Sequence, residues 1–280
     1  LGIILKNFFY EIKQILIETN PILKFKLFTI LYKEFLVNNV DFTQLETPLL
    51  FTKPSFYKIC TIVKPHEVKQ RKNLHEDEGK IALLHAIAHI EYSAIDLALD
   101  ACYRFRDLPY EYYKDWLEVA DDEIRHFKMI CDLLENYGVQ YGEIPVHQGL
   151  FEASMRSLTL VQRMAFIPRY MEANGLDSNQ AIIKKLESIP KTKEIIEALK
   201  IILEEEISHV QKGDRWYKYG CSQLENFSCN YFDIVNKIYP NSFKTNKSLN
   251  IEARIRAGFS DEEIEKLKEF DYKHDKIDKF

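Results

Sequence analysis

The chain has 280 residues, of which 46% are hydrophobic and 29% charged, with nine Gly and nine Pro; this balance excludes a disordered chain and favours a compact helical protein over a turn-rich β fold. Net charge is −5, and residues 81–220 alone carry −7, which argues against a broad nucleic-acid surface. Five cysteines (Cys60, Cys102, Cys131, Cys221 and Cys229) include no Cys-x-x-Cys pair and leave one over, so reduced thiols filling the core of a cytoplasmic protein are expected.

The apolar opening Leu1-Gly2-Ile3-Ile4-Leu5 stops at Lys6 and Asn7. It is too short for a signal-peptide core or a membrane span, so neither export nor a membrane is expected. Ile12, Ile15 and Leu16, then Leu27, Ile30, Leu31 and Phe35, follow helical spacing on either side of Asn20-Pro21, which predicts two helices. From Asp41 to His75 no period lasts and Pro48, Pro54 and Pro65 interrupt; this stretch reads as an ordered connecting arm with Lys53, Lys58, Lys64, Lys69, Arg71 and Lys72 on its solvated face.

Four long periodic segments come next, at roughly 78–105, 110–136, 150–175 and 191–218. Asp107-Leu108-Pro109 makes a tight link, so the first two helices are expected to be antiparallel neighbours. Residues 138–149, with Gly142 and Pro145 inside, suit a longer crossover. Gly175 is expected to end the third helix and Pro190 to precede the fourth, while Ser260-Asp-Glu-Glu263 reads as a capping box opening a short helix in the tail. The expected organisation is all-α: N-terminal helices and arm over 1–77, a four-helix bundle with a crossover connection over 78–220, and a helical extension over 221–280.

At 100° per residue, each bundle helix carries a glutamate in the middle of its apolar stripe. Glu91 lies among Leu84, Ile87, Ala88, Ala94, Ile95 and Ala98, and Glu123 among Trp116, Val119, Ala120, Phe127, Ile130 and Leu134. Glu172 lies among Val161, Ala165, Pro168 and Leu176, and Glu206 among Leu199, Ile202, Leu203, Val210 and Tyr217. Four carboxylates in one core require positive charge nearby. Lys and Arg supply little on those stripes, Arg169 being the nearest, whereas divalent metals would neutralise the set directly. Glu123-Ile-Arg-His126 and Glu206-Ile-Ser-His209 each place a histidine one turn from a glutamate on the same inward face. Two Glu-x-x-His spacings alone would be weak; their phase within the apolar stripe decides.

In the order Glu, Glu-x-x-His, Glu, Glu-x-x-His along four helices, the sequence resembles the ferritin-like carboxylate-bridged dimetal proteins. More narrowly, Leu84-His-Ala-Ile-Ala-His-Ile-Glu91 with Asp96, Glu123-Ile-Arg-His-Phe127, Ile144-Pro-Val-His-Gln-Gly-Leu150, Pro168-Arg-Tyr-Met-Glu-Ala-Asn-Gly-Leu-Asp177, Glu206-Ile-Ser-His-Val210 and Asn250-Ile-Glu-Ala-Arg-Ile-Arg-Ala-Gly-Phe259 look like one bacterial ferritin-like family known as a domain of unknown function. The resemblance runs from about residue 65 to 270. It implies a ferritin-like fold and a pair of divalent ions, Fe or Mn or one of each, held by Glu91, Glu123, His126, Glu172, Glu206 and His209. By analogy Glu123 and Glu206 bridge the ions, Glu91 and Glu172 are terminal, and each histidine serves one ion.

The expected activity is that of an oxidase or hydroxylase using dioxygen or peroxide, a small-molecule substrate and a separate electron donor. One superfamily member hydroxylates a modified tRNA base, but the acidic middle of this chain argues against a nucleic-acid substrate. Two other functions are weighed: ferroxidase or metal handling, which the long flanking segments disfavour, and a binding protein whose metals only hold its helices together. His85 and His89 lie well away from Glu91 on the wheel and are expected to hydrogen-bond the arm or a neighbouring helix rather than a metal. His147 falls in the crossover. Glu204 and Glu205 flank Glu206 on other faces, and Pro168, one turn before Glu172, is expected to make the third helix locally irregular.

Overall fold

The computed structural model describes residues 5–69, 72–224, 229–243 and 248–277. The apolar opening at residues 1–4 and Arg71 of the arm lie outside the described residues. The fold is all-α. Its only regular strands among the described residues are β1 (Lys6–Asn7) and β2 (Val40–Asp41), paired in parallel. The chain divides into two compact units, Leu1–Glu152 and Ala153–Phe280, and this boundary falls inside the segment expected to form the bundle.

In the first unit, α1 (Phe8–Ile17) and α2 (Pro21–Leu36) meet at Asn20, whose side chain accepts the Leu23 N–H and caps α2 with Pro21 at its first position. The buried face of α2 is Phe25, Phe28, Leu31 and Phe35. Ile30, expected inside, is exposed, because the aromatic residues one turn apart define the packed face. Lys24 is fully buried and places Nζ 2.6 Å from Asp96 Oδ1 while donating to the Ile15 carbonyl. Asp96 Oδ2 accepts from the Ser55 hydroxyl at 2.7 Å, so one carboxylate ties α2 and the arm to the next helix.

That helix, α3 (Asp77–Arg104), opens with Asp77 and Glu78 where its dipole is positive and is buried on nearly every face. It alone among the described residues is long and apolar enough to cross a membrane, and its apolar stretch is mostly covered by protein, as in a core helix. Gly79 is required: a Cβ there would lie 2.3 Å from the Asn73 carbonyl oxygen of the arm. Asp107 takes a left-handed φ of 57° in the link to α4 (Tyr110–Glu135), and α3 and α4 pack along their length. The arm is ordered without a period. It contains two short 3₁₀ turns, Ser55–Lys58 and Pro65–Glu67, and exposes Lys53, Lys58, Lys64, Lys69 and Lys72 as expected. The Val63 N–H donates to the Val146 carbonyl and the Val146 N–H to the Thr61 carbonyl, so arm and crossover brace each other.

The expected third helix is not one rod. Helix α5 (Gly149–Arg156) stops before Thr159, which with Gln162 forms a capping box that starts α6 (Leu160–Phe166). A π-helical turn, Ile167–Glu172, continues into α7 (Ala173–Leu186). Gly175 therefore lies inside α7 rather than ending it: Leu176, Ile183 and Leu186 keep the helix packed on α8 (Lys193–Ser222), and burial outweighs the local preference of one glycine. Beyond α8 come α9 (Tyr231–Ile238), α10 (Ile251–Arg256) and α11 (Asp261–Ile277), the last opened by the Ser260–Glu263 box in both directions.

Candidate metal centre

The glutamate stripes form the packed faces expected of them. Every residue named around Glu91 and Glu123 is buried, so the helices could not turn these carboxylates to water without exposing their apolar faces. Glu123 and His126 are fully buried and Glu91 nearly so. His126 Nδ1 lies 3.3 Å from Glu91 Oε2 and 3.4 Å from Glu123 Oε2, and one ligand atom from each of the three falls within 4.8 Å of the others.

Burial, and then the charge of Glu123, push Glu91 well above the usual carboxylate range. Burial alone would lower His126, but its contacts with Glu123 and Glu91 reverse this and push it up to about 11. Without a cation, the trio therefore holds protons between its carboxylates. A metal ion would take the place of those protons, and its binding would strengthen as pH rises.

In the second unit, His209 is fully buried on α8 with Nδ1 3.7 Å from Glu206 Oε2. Glu172 is the last residue of the π turn, which packs on α8. These two carboxylates depart from the expectation of full burial: Glu206 keeps 15% of its side-chain surface and Glu172 is partly exposed as well. The donors are carboxylate oxygens and imidazole nitrogens with no thiolate, a set suited to a divalent ion. The buried Glu91, Glu123 and His126 could hold one.

The family model described as "Protein of unknown function (DUF455)" matches residues 17–265. The chain belongs to the DUF455 family. It is similar to a protein of Haemophilus influenzae (strain ATCC 51907 / DSM 11121 / KW20 / Rd), described as uncharacterized, at 34% identity over 279 residues covering 94% of each chain. No solved structure matches it.

The other histidines of this DUF455 chain have structural partners. His85 Nε2 accepts the N–H groups of Gly142 at 3.0 Å and Ile144 at 3.4 Å. His89 Nε2–H donates to the His147 carbonyl at 2.8 Å, and its Nδ1 accepts the Tyr141 hydroxyl at 2.9 Å. They pin the crossover onto α3, as their position off the glutamate stripe implied, although the partner is the crossover and not the arm. His147 Nδ1 accepts the Gly149 N–H. Glu204 is exposed and pairs with Arg256. Arg169, the cation nearest the stripe in sequence, is committed to Asp214 and Glu263; its network spans residues too far apart in sequence for any local spacing to reveal.

The expectation of five reduced thiols is overturned by a Cys221–Cys229 disulfide, while Cys60, Cys102 and Cys131 are free. A separation of eight residues matches no short cysteine motif, so spacing gives no sign of the pair.

Proposed function

We propose that the chain is a ferritin-like dinuclear metal protein whose ligands to two divalent ions, Fe or Mn, are Glu91, Glu123, His126, Glu172, Glu206 and His209. The fold proposed with it is a ferritin-like four-helix bundle. The observation that carries this reading is the repetition of one arrangement in both units: a fully buried histidine one turn after a glutamate on an otherwise apolar face. A core histidine serving only as packing has no need of a carboxylate at that position, and still less of two more on neighbouring elements.

When bound, two such ions supply redox and Lewis-acid chemistry toward dioxygen or peroxide. The protein's own part is to hold and shield them. Glu123 and Glu206 are proposed as shared ligands, Glu91 and Glu172 as terminal ones, with one imidazole for each ion. Burial of Glu91, Glu123 and His126 keeps water from those ligands. A small organic substrate and oxidant would approach the partly exposed Glu172 and Glu206, with electrons from a separate donor. Oxidation or hydroxylation of that substrate is the proposed reaction. A cytoplasmic setting is proposed with it.

Elemental analysis of the purified protein, with anomalous scattering at the iron and manganese edges, tests the centre. Two ions per chain are expected, and a protein that folds and binds none would sink the proposal. Oxygen consumption with a reductant then separates the readings: a full metal complement with no turnover would favour a protein that uses its metals only to hold helices.

A further inference from the structure

We infer that Arg169 is a positioning residue, whose ion pairs with Asp214 and Glu263 hold the π turn Ile167–Glu172 in its wide form and so set the direction in which Glu172 presents its carboxylate. This rests on the proposal that Glu172 is a metal ligand. A π turn inserts one residue into an α-helix and rotates the phase of all later residues by about 100°, and it persists only where neighbours hold it. Pro168 accounts for the lost α-helical hydrogen bond, since it has no N–H to give. It does not account for how the widened turn is held.

Three contacts do. The Cα of Gly213 on α8 comes so close that a Cβ would lie 2.3 Å from Pro168 Cβ and Cγ. The Tyr231 hydroxyl donates to the Arg169 carbonyl at 2.8 Å. The Arg169 side chain, 1% exposed, then runs back to α8 and across to the start of α11: Nε is 3.0 Å from Asp214 Oδ1, and Nη2 is 3.0 and 2.9 Å from the two Glu263 oxygens. Its guanidinium is caged by Tyr217, Tyr231 and Phe259, with ring centroids 4.9, 4.5 and 4.7 Å away.

Arg169 and Glu172 share the turn, and Asp214 shares α8 with Glu206 and His209. The ion pair thus registers the turn of one ligand against the helix of two others. A buried arginine depends on both carboxylates for charge balance, so a return to α-helical winding, which would swing Glu172 away by about 100°, is opposed.

The test compares wild-type protein with Arg169→Met and, because Met leaves Glu263 without its partner and Asp214 with Lys218 alone, with the triple variant Arg169→Met, Asp214→Asn, Glu263→Gln, which removes the charges together. Mn(II) titration is followed by metal content and electron paramagnetic resonance, and the metal-free proteins by hydrogen exchange at residues 169–173. Wild type should bind two ions with the spectrum of a coupled pair. The folded variant should keep one ion with the six-line spectrum of isolated Mn(II), bind the second at least tenfold more weakly, and exchange the amides of 169–173 at least tenfold faster. Two coupled ions, or unchanged exchange, in a folded variant would overturn the role of Arg169 and leave the dimetal proposal standing. A wild type that binds no pair would bring down both.

Discussion

His85 shows what a single protonation state does for this fold. Its Nε2 can accept from Gly142 and Ile144 only while unprotonated, and burial lowers its pKa to about 4 from the ordinary 6.5. In the unfolded chain the ring takes up its proton nearer pH 6.5, so between about 6.5 and 4 the unfolded state binds more protons and stability falls as pH falls. The loss is on the order of 2 kcal/mol after allowing for screening by nearby water. In His85→Gln, whose amide oxygen can accept the same N–H groups, thermal melts between pH 7 and pH 4 should show a shallower decline than wild type; equal slopes would remove His85 as the cause. The placement of His85 and His89 off the glutamate stripe was legible from helical phase. Their true partners were not, since residues 141–147 lie more than fifty positions away and follow no period.

At the scale of elements, the ends of α3 and α4 could be read from sequence because local chemistry and burial agree there: acidic residues open α3, and Asp107-Leu108-Pro109 separates the two. The third expected helix could not, because there they disagree. Thr159 and Gln162 break an apolar run that spacing alone would continue, and Gly175 sits where packing on α8 overrides its tendency to end a helix. Pro168 announced an irregularity, yet its form as a π turn depends on Gly213, Tyr231 and Glu263, all distant in sequence. The Cys221–Cys229 bridge, closing a separation of eight residues between α8 and α9, belongs to the same class of long-sighted feature. Loop closure of that size should stabilise the second unit by about 2–3 kcal/mol through the unfolded state. Cys229→Ser should lower the denaturation midpoint accordingly in oxidising buffer and leave it unchanged in excess reductant. A decrease that persists under reductant would assign the effect to packing.

For the whole molecule, the proposed centre is built from buried and partly buried side chains of the folded state, so metal would act on stability as well as chemistry. A ligand that binds only the folded state stabilises by about 4 kcal/mol at a thousand times its Kd, which for units of this size is roughly 10 °C in melting temperature. Chelation should remove that increment, and an unchanged melting temperature after verified metal loss would count against a buried, charge-bearing site. The roles within the centre can be separated in the same preparations. A shared carboxylate holds both ions, whereas a terminal one holds a single ion and can be replaced by water, so Glu123→Ala and Glu206→Ala should empty the centre more completely than Glu91→Ala. Alanine also opens a cavity at the fully buried Glu123, so folding must be matched by circular dichroism before metal contents are compared. If Glu91→Ala empties the centre while Glu123→Ala keeps two ions, the shared and terminal roles are reversed within the first unit, and the ligand set itself survives.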